Sequence, residues 1–286
     1  MATRDLVDLV LLGALWGAAF LFMRIAAPEF GPVPLIAVRV AIATVVLMPM
    51  AVWRGVHRAL WPVAGPLLVI GAINTAIPFS LLAYAALTLP AGLSSTLNAS
   101  VPLFGAVIGF AWLGARPSPL RVLGLLVGFA GVLVLAWPRL TAGNDWRAVV
   151  AALLATVLYG LAAHVTQRTL TGVPSLVVAA GSQVAATVML VPLAVPLWPA
   201  TSPSLRAWTS AVILGVGCTA AAYVLYFRLI ARAGPSTAMA VTYLIPVFGV
   251  SWGALLLGER LGADALVGGG LVLTGVALAT WTPRAR

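Results

Sequence analysis

Charged side chains are scarce in this sequence. They make up only 8% of the 286 residues, while 62% of the residues are hydrophobic. A soluble domain carries about 25% charged residues, so this composition excludes an ordinary soluble protein. The six acidic residues all lie outside the middle of the apolar segments, and lysine does not occur.

Cysteine is equally rare. Cys218 is the single cysteine, which excludes a disulfide within one chain and a cysteine metal cluster. The apolar segments fill nearly the whole chain, and no signal-peptide cleavage site follows the first of them. We therefore expect no soluble catalytic domain, no metal and no cofactor.

The apolar segments have the length of membrane spans. A helix satisfies its backbone hydrogen bonds within its own segment, and the sequence lacks the short alternating segments of a β-barrel. The sequence therefore predicts an all-α polytopic membrane protein with ten transmembrane helices of about 20 residues each. The predicted spans are residues 6–26, 34–53, 62–87, 91–113, 119–138, 147–168, 174–198, 206–230, 235–257 and 263–282.

All sixteen basic residues are arginines, and their positions predict the orientation of the spans. With the N-terminus in the cytoplasm, ten arginines lie at cytoplasmic ends, five lie at outer ends, and Arg39 falls within the second span. This excess predicts that both termini lie in the cytoplasm. It also accounts for the net charge of +10 without a nucleic-acid partner.

The sequence repeats itself at a spacing of 144 residues. The repeated elements are Val101-Pro102-Leu103-Phe104-Gly105 with Ile245-Pro246-Val247-Phe248-Gly249, and Leu113-Gly114-Ala115-Arg116 with Leu257-Gly258-Glu259-Arg260. Residues 1–139 and 146–286 are therefore expected to form two halves of five spans each. Because five is odd, the second half is predicted to be inverted relative to the first, as in many transporters.

Polar, aromatic and proline residues converge at the middle depth of the spans. A buried amide without a partner is costly in hydrocarbon, so we expect these residues to face protein or a water-filled cavity. The alternative is that the amides serve only helix packing. The predicted substrate-binding residues are Trp16, Asn74, Pro78, Asn98, Tyr159, Thr219 and Tyr243.

Pro102 and Pro246 occupy equivalent mid-span positions of the two halves. Each proline removes one helical hydrogen bond and frees a carbonyl about four residues earlier, near Asn98 and Thr242. We predict that the two prolines are hinges for gating. A static kink, which is common in membrane helices, is the alternative.

Two ionisable residues within the spans have a candidate role. His164 is either a proton carrier or a histidine that is hydrogen-bonded near the interface. Arg39 either contacts an anionic group of the substrate or is a snorkelling or interhelical arginine. Because carriers coupled to protons or sodium usually hold a carboxylate within a span, its absence from the middle of these spans favours facilitated transport or an unusual coupling route.

Glycines give the fifth and tenth spans smooth faces. They are Gly124, Gly128 and Gly131 in the fifth span, and Gly268, Gly269, Gly270 and Gly275 in the tenth. Small residues allow helices to approach closely, so we expect these spans to form a scaffold. A dimer face is the alternative, with a monomer favoured and a homodimer left open.

The chain resembles the EamA family of the drug/metabolite transporter superfamily over essentially its whole length. The resemblance rests on Leu15-Trp16-Gly17, on Arg39 after Pro34, on the two mid-span prolines, and on Leu257-Gly258-Glu259. The first half departs from the family pattern at Ala115, where Glu is often found. The resemblance implies a carrier with a central cavity lined by spans one to four and six to nine, with spans five and ten outside.

The expected function is export of small organic metabolites across the bacterial inner membrane, above all amino acids including aromatic ones, by alternating access. Aromatic rings of a substrate would stack on Trp16, Tyr159 and Tyr243, and amides would hold a zwitterionic head. The expected partners are a small-molecule substrate and the lipid bilayer. A multidrug exporter is the alternative, which the lack of mid-span carboxylates disfavours for cationic drugs. An intramembrane enzyme is a distant alternative, because Cys218 has no evident histidine or acid nearby in sequence.

Overall fold

The computed structural model of this chain describes residues 2–114, 118–141, 146–260 and 262–280. Ten helical segments in these ranges are long and apolar enough to cross a membrane, which confirms the predicted all-α polytopic class. No β-strand occurs in the same ranges. Ala115, Arg116 and the polar link at 142–145 lie outside the described residues, as do the last six residues.

The ten spans follow the predicted order closely, and we number them α1 to α10. They are α1 Thr3–Phe30, α2 Pro32–Trp53, α3 His57–Ala85, α4 Ala91–Trp112, α5 Pro119–Pro138, α6 Trp146–Thr169, α7 Ser175–Ala194, α8 Leu205–Ala233, α9 Thr237–Leu257 and α10 Ala263–Thr280. Each span is helical, so its backbone polar groups are paired within the segment. Each is also predominantly apolar, so its side chains can face lipid or neighbouring helices.

Four of these helices are irregular, and the irregularities recur in the two halves. A π-helical turn occupies Ala72–Ala76 in α3 and Val216–Ala221 in α8. α4 is divided into Ala91–Asn98 and Val101–Leu113. The α9 region is divided likewise, into Pro235–Met239 and Val241–Leu257. The division of α4 immediately precedes Pro102, which agrees with the loss of the hydrogen bond to the carbonyl of Asn98. Pro246 lies within the segment Val241–Leu257, six residues after the break at Ala240.

The helix contacts also recur in the two halves. α1 packs on α9 as α6 packs on α4, and α1 packs on α8 as α6 packs on α3. Three pairs of equivalent helices face each other directly, namely α2 with α7, α4 with α9, and α5 with α10. The helix contacts of the first five spans thus correspond to those of the last five.

α5 and α10 pack mainly on each other, at the side of the bundle. Their glycines bring the two backbones into direct contact: a Cβ added at Gly275 would lie 2.6 Å from the carbonyl oxygen of Gly124, and one added at Gly131 would lie 2.6 Å from the amide nitrogen of Val272. By contrast, no atom lies within 4 Å of a Cβ at Gly270. The close packing of this pair therefore depends on particular glycines.

We expect Gly275→Ala to destabilise the protein by about 1–3 kcal/mol, because the added methyl group meets backbone that cannot move aside. Gly270→Ala, on the same helix, is the matched control and is expected to leave stability unchanged. Thermal unfolding in detergent, followed by tryptophan fluorescence, measures both. Equal melting temperatures for the two variants would contradict the packing described for α5 and α10.

Candidate functional site

A cavity of about 710 Å³ lies in the middle of the bundle. Its wall takes residues from α1 to α4 and from α6 to α9, and from none of the described residues of α5 or α10. Pockets for small organic ligands have volumes of about 300–1,000 Å³, so the cavity has the size of a metabolite site. The spans that line the cavity are those that the family resemblance implies, namely one to four and six to nine.

Six residues singled out in the sequence lie on the wall of this cavity. They are Trp16, Arg39, Asn74, Asn98, Tyr159 and Thr219. Asn74 and Thr219 belong to the two π-helical turns, and Asn98 ends the first segment of α4. Irregular backbone at this depth is tolerated where it lines a cavity, as it does here.

Five other predicted residues do not line the cavity. Pro78 is buried beside it, and its neighbour Phe79 takes the place on the wall. The hydroxyl of Tyr243 lies 3.1 Å from Thr280 Oγ1 of α10. His164 Nε2 lies 2.8 Å from the carbonyl oxygen of Gly105, which agrees with the hydrogen-bonded alternative for this residue. The hinge candidates Pro102 and Pro246 also lie off the wall.

Aromatic side chains of α8 form one side of the cavity. The rings of Trp16 and Tyr226 have centroids 5.3 Å apart, and Trp16 meets Tyr223 edge-on at 6.5 Å. Tyr223 stacks on Phe227 at 5.9 Å. The three α8 residues were missed from the sequence, although their spacing of three and four residues places them on one helix face.

Arg39 carries the only charge on the described wall of the cavity. Its side chain is 4% exposed. Nε donates a hydrogen bond of 2.9 Å to Thr219 Oγ1, and the Thr219 hydroxyl donates in turn to the carbonyl oxygen of Leu214. The guanidinium carbon lies 3.8 Å from the centre of the Phe79 ring. A buried cation of this kind is stabilised by hydrogen bonding and ring contact instead of a carboxylate.

Asn98 supplies an unused acceptor. Its Oδ1 atom is buried and has no hydrogen-bond partner among the described residues. A buried acceptor without a partner costs about 1–3 kcal/mol, so a donor group on a bound molecule would be favourable there. The cavity therefore offers one cation, one free acceptor and aromatic walls.

The cavity opens toward the end of the bundle where α1 begins, which we call the N-terminal end. Gln167, near the last turn of α6, and Phe227 of α8 line it on that side. Ala163 on the wall is exposed, whereas Phe20, which is also on the wall, is only 5% exposed. The two residues correspond because Leu15-Trp16-Gly17 in α1 recurs 143 residues later as Leu158-Tyr159-Gly160 in α6. The structure is thus open at the N-terminal end and closed at the opposite end.

The sequence pattern of the EamA-like transporter family matches the chain at residues 7–137 and again at residues 146–281. The chain belongs to the EamA-like transporter family. A relative from Streptantibioticus cattleyicolor, named a probable terminal-alkyne amino-acid exporter, is 31% identical over 275 residues, which cover 94% of this chain and 91% of the relative. YedA, an uncharacterized inner membrane transporter of Escherichia coli, is 26% identical over 271 residues, with 93% and 87% covered.

A solved crystal structure shares the fold of this EamA-type protein. The match covers 98% of both chains with a TM-score of 0.66 and 21% sequence identity. Family membership makes the protein a membrane transporter and not an enzyme. Together with the ten apolar helices, it makes the protein a multi-pass inner-membrane protein that acts on small molecules.

Cysteines placed at Ala163 and Phe20, in a Cys218→Ala background, test the direction in which the cavity opens. We expect a small thiol reagent to modify the Ala163→Cys variant at least about tenfold faster, because Ala163 lies on the exposed part of the cavity wall, whereas Phe20 lies on a buried part of it. Mass spectrometry of the purified protein gives both rates. Equal rates would contradict the open and closed ends of the cavity.

Proposed function

We propose that this transporter exports small zwitterionic metabolites, above all amino acids with apolar or aromatic side chains. The observation that carries the proposal is the buried guanidinium of Arg39 on a wall without an acidic side chain among its described residues. A cation in a low-dielectric site with no counter-ion favours a substrate that brings an anionic group. The relative named a probable terminal-alkyne amino-acid exporter supports the same substrate class.

Each part of an amino acid has a matching group in the cavity. The carboxylate pairs with the Arg39 guanidinium, whose Nε is already held by Thr219. Asn98 Oδ1, which lacks a partner, accepts from the ammonium group. The side chain lies against the rings of Trp16 and Tyr226, and aromatic side chains gain most from this contact.

The proposed mechanism is alternating access by two inverted halves, residues 1–139 and 146–286. The arginine distribution supports a cytoplasmic N-terminal end, so substrate enters the cavity from the cytoplasm while that end is open. The divided helices α4 and α9 bend near Pro102 and Pro246 to close this end and open the other. One chain contains the whole cavity wall, which supports a monomer as the working unit.

Energy coupling depends on the same wall. Because no carboxylate occurs among its described residues, the proposed transport is facilitated and runs down the substrate gradient. His164 is bound to the Gly105 carbonyl, so we assign it to packing between α6 and α4 and not to proton transfer.

Counterflow in proteoliposomes with a panel of amino acids tests the substrate class. We expect saturable exchange of apolar and aromatic amino acids, and no competition from the corresponding amines, which lack the carboxylate. Arg39→Gln should lower the rate at least about tenfold, because a hydrogen bond to a charged group is worth about 1.5–3 kcal/mol. Efficient transport of cationic dyes by both the parent protein and Arg39→Gln would instead indicate a multidrug exporter.

Trp16→Leu tests the aromatic wall in the same assay. Loss of the ring removes stacking worth about 0.5–1.5 kcal/mol, so we expect a roughly threefold to tenfold rise in KM for aromatic amino acids. Trp53→Leu is the matched control, since Trp53 is 83% exposed at the end of α2. A similar loss in both variants would show that Trp16 does not contribute through the cavity.

A further inference from the structure

The two ends of the α4–α9 interface differ. At the end opposite the N-terminal end, the first segment of α4, Ala91–Asn98, packs on Val241–Leu257 of α9. The second segment of α4, Val101–Leu113, makes no comparable packing with that part of α9 within the described residues. Among the described residues, α4 and α9 therefore pack closely only at the end where the cavity is closed.

Glu259 joins the two helices at that closed end. Its Oε1 atom accepts a hydrogen bond of 2.9 Å from the N–H of Ala91, and Oε2 accepts one of 3.2 Å from the N–H of Gly92. These N–H groups begin α4, so they have no carbonyl partner within the helix and carry its partial positive charge. The N–H of Glu259 donates to the carbonyl oxygen of Gly253, which holds the residue in place at the end of α9.

The sequence repeat contains no second copy of this contact. Position 115, which is 144 residues before Glu259, holds alanine and brings no carboxylate. Position 235, the equivalent of Ala91, holds proline, which has no N–H to donate. The equivalent positions in the other half therefore lack the carboxylate and one of the two N–H donors.

We propose that Glu259 is a latch that keeps the opposite end of the transporter closed and thereby sets its resting state. A contact that exists in one of two states shifts the population toward that state. If both ends of the α4–α9 interface carried such a contact, neither the state open at the N-terminal end nor the state open at the opposite end would be favoured. Because, among the described residues, the contact exists at the opposite end alone, the state open at the N-terminal end is the preferred one. This inference rests on the proposed alternating access, and release of Ala91 and Gly92 from Glu259 is then a step of every transport cycle.

Glu29 provides a matched control of the same chemistry. It lies at the same end and accepts hydrogen bonds from the backbone N–H and the hydroxyl of Ser204, at 2.6 and 2.8 Å, at the start of α8. At the N-terminal end, Asp8 pairs with Arg228, so α1 and α8 are held together at both ends. Glu29 is thus a carboxylate at a helix start that does not lie on the α4–α9 interface.

The experiment uses the Phe20→Cys and Ala163→Cys variants in the Cys218→Ala background, each combined with Glu259→Gln or Glu29→Gln. We expect Glu259→Gln to raise the rate of thiol modification at position 20 roughly threefold to tenfold and to lower the rate at position 163. Glu29→Gln should change neither rate. Melting temperatures of all variants are measured in the same detergent.

Two outcomes would overturn the latch. If Glu259→Gln lowers the melting temperature without changing the ratio of the two modification rates, the contact only caps α4. If Glu29→Gln raises the rate at position 20 as much as Glu259→Gln does, the change reflects general loosening of that end. The labelling requires no substrate, so either result is distinguishable from a failure of the proposed amino-acid export, which counterflow measures separately.

Discussion

Hydrocarbon offers no hydrogen-bond partner, and the rest of this structure depends on that constraint. It forces the chain into long helices and confines every irregular turn to places where protein or a cavity surrounds the backbone. The π-helical turns Ala72–Ala76 and Val216–Ala221 therefore occur where α3 and α8 face the cavity. Because of the same constraint, a polar group in the middle of the bundle indicates a hydrogen-bond partner or a cavity beside it.

The hydrogen bonds around Arg39 differ between the two halves. The guanidinium of α2 reaches across to Thr219 in α8, so a residue of the first half depends on a turn of the second. Thr75, the counterpart of Thr219, is fully buried and its hydroxyl has no partner among the described residues. Thr219 thus has a partner in the other half, whereas its counterpart Thr75 has none among the described residues.

The fold could be predicted almost completely from the sequence, because hydropathy and segment length decide which residues cross a membrane. The depth of the site residues was equally accessible, since it can be counted along each span. The direction in which a side chain points around its helix could not be predicted in this way. The π-helical turn before Pro78 adds a residue and rotates the rest of α3, so that Phe79 meets the cavity. Tyr243 likewise does not face the cavity, because its hydroxyl lies beside Thr280 at the end of α10.

The division of α4 has a mechanical consequence. Val101–Leu113 is a rod of 13 residues, about 20 Å long at the rise of an α-helix, and it begins at the break. A rotation of about 10° at Ala99 and Ser100 displaces its far end by about 3.5 Å, which is more than the diameter of a water molecule. In the proposed alternating access, a small change in two backbone residues would therefore be enough to admit or exclude solvent, without movement of the bundle as a whole.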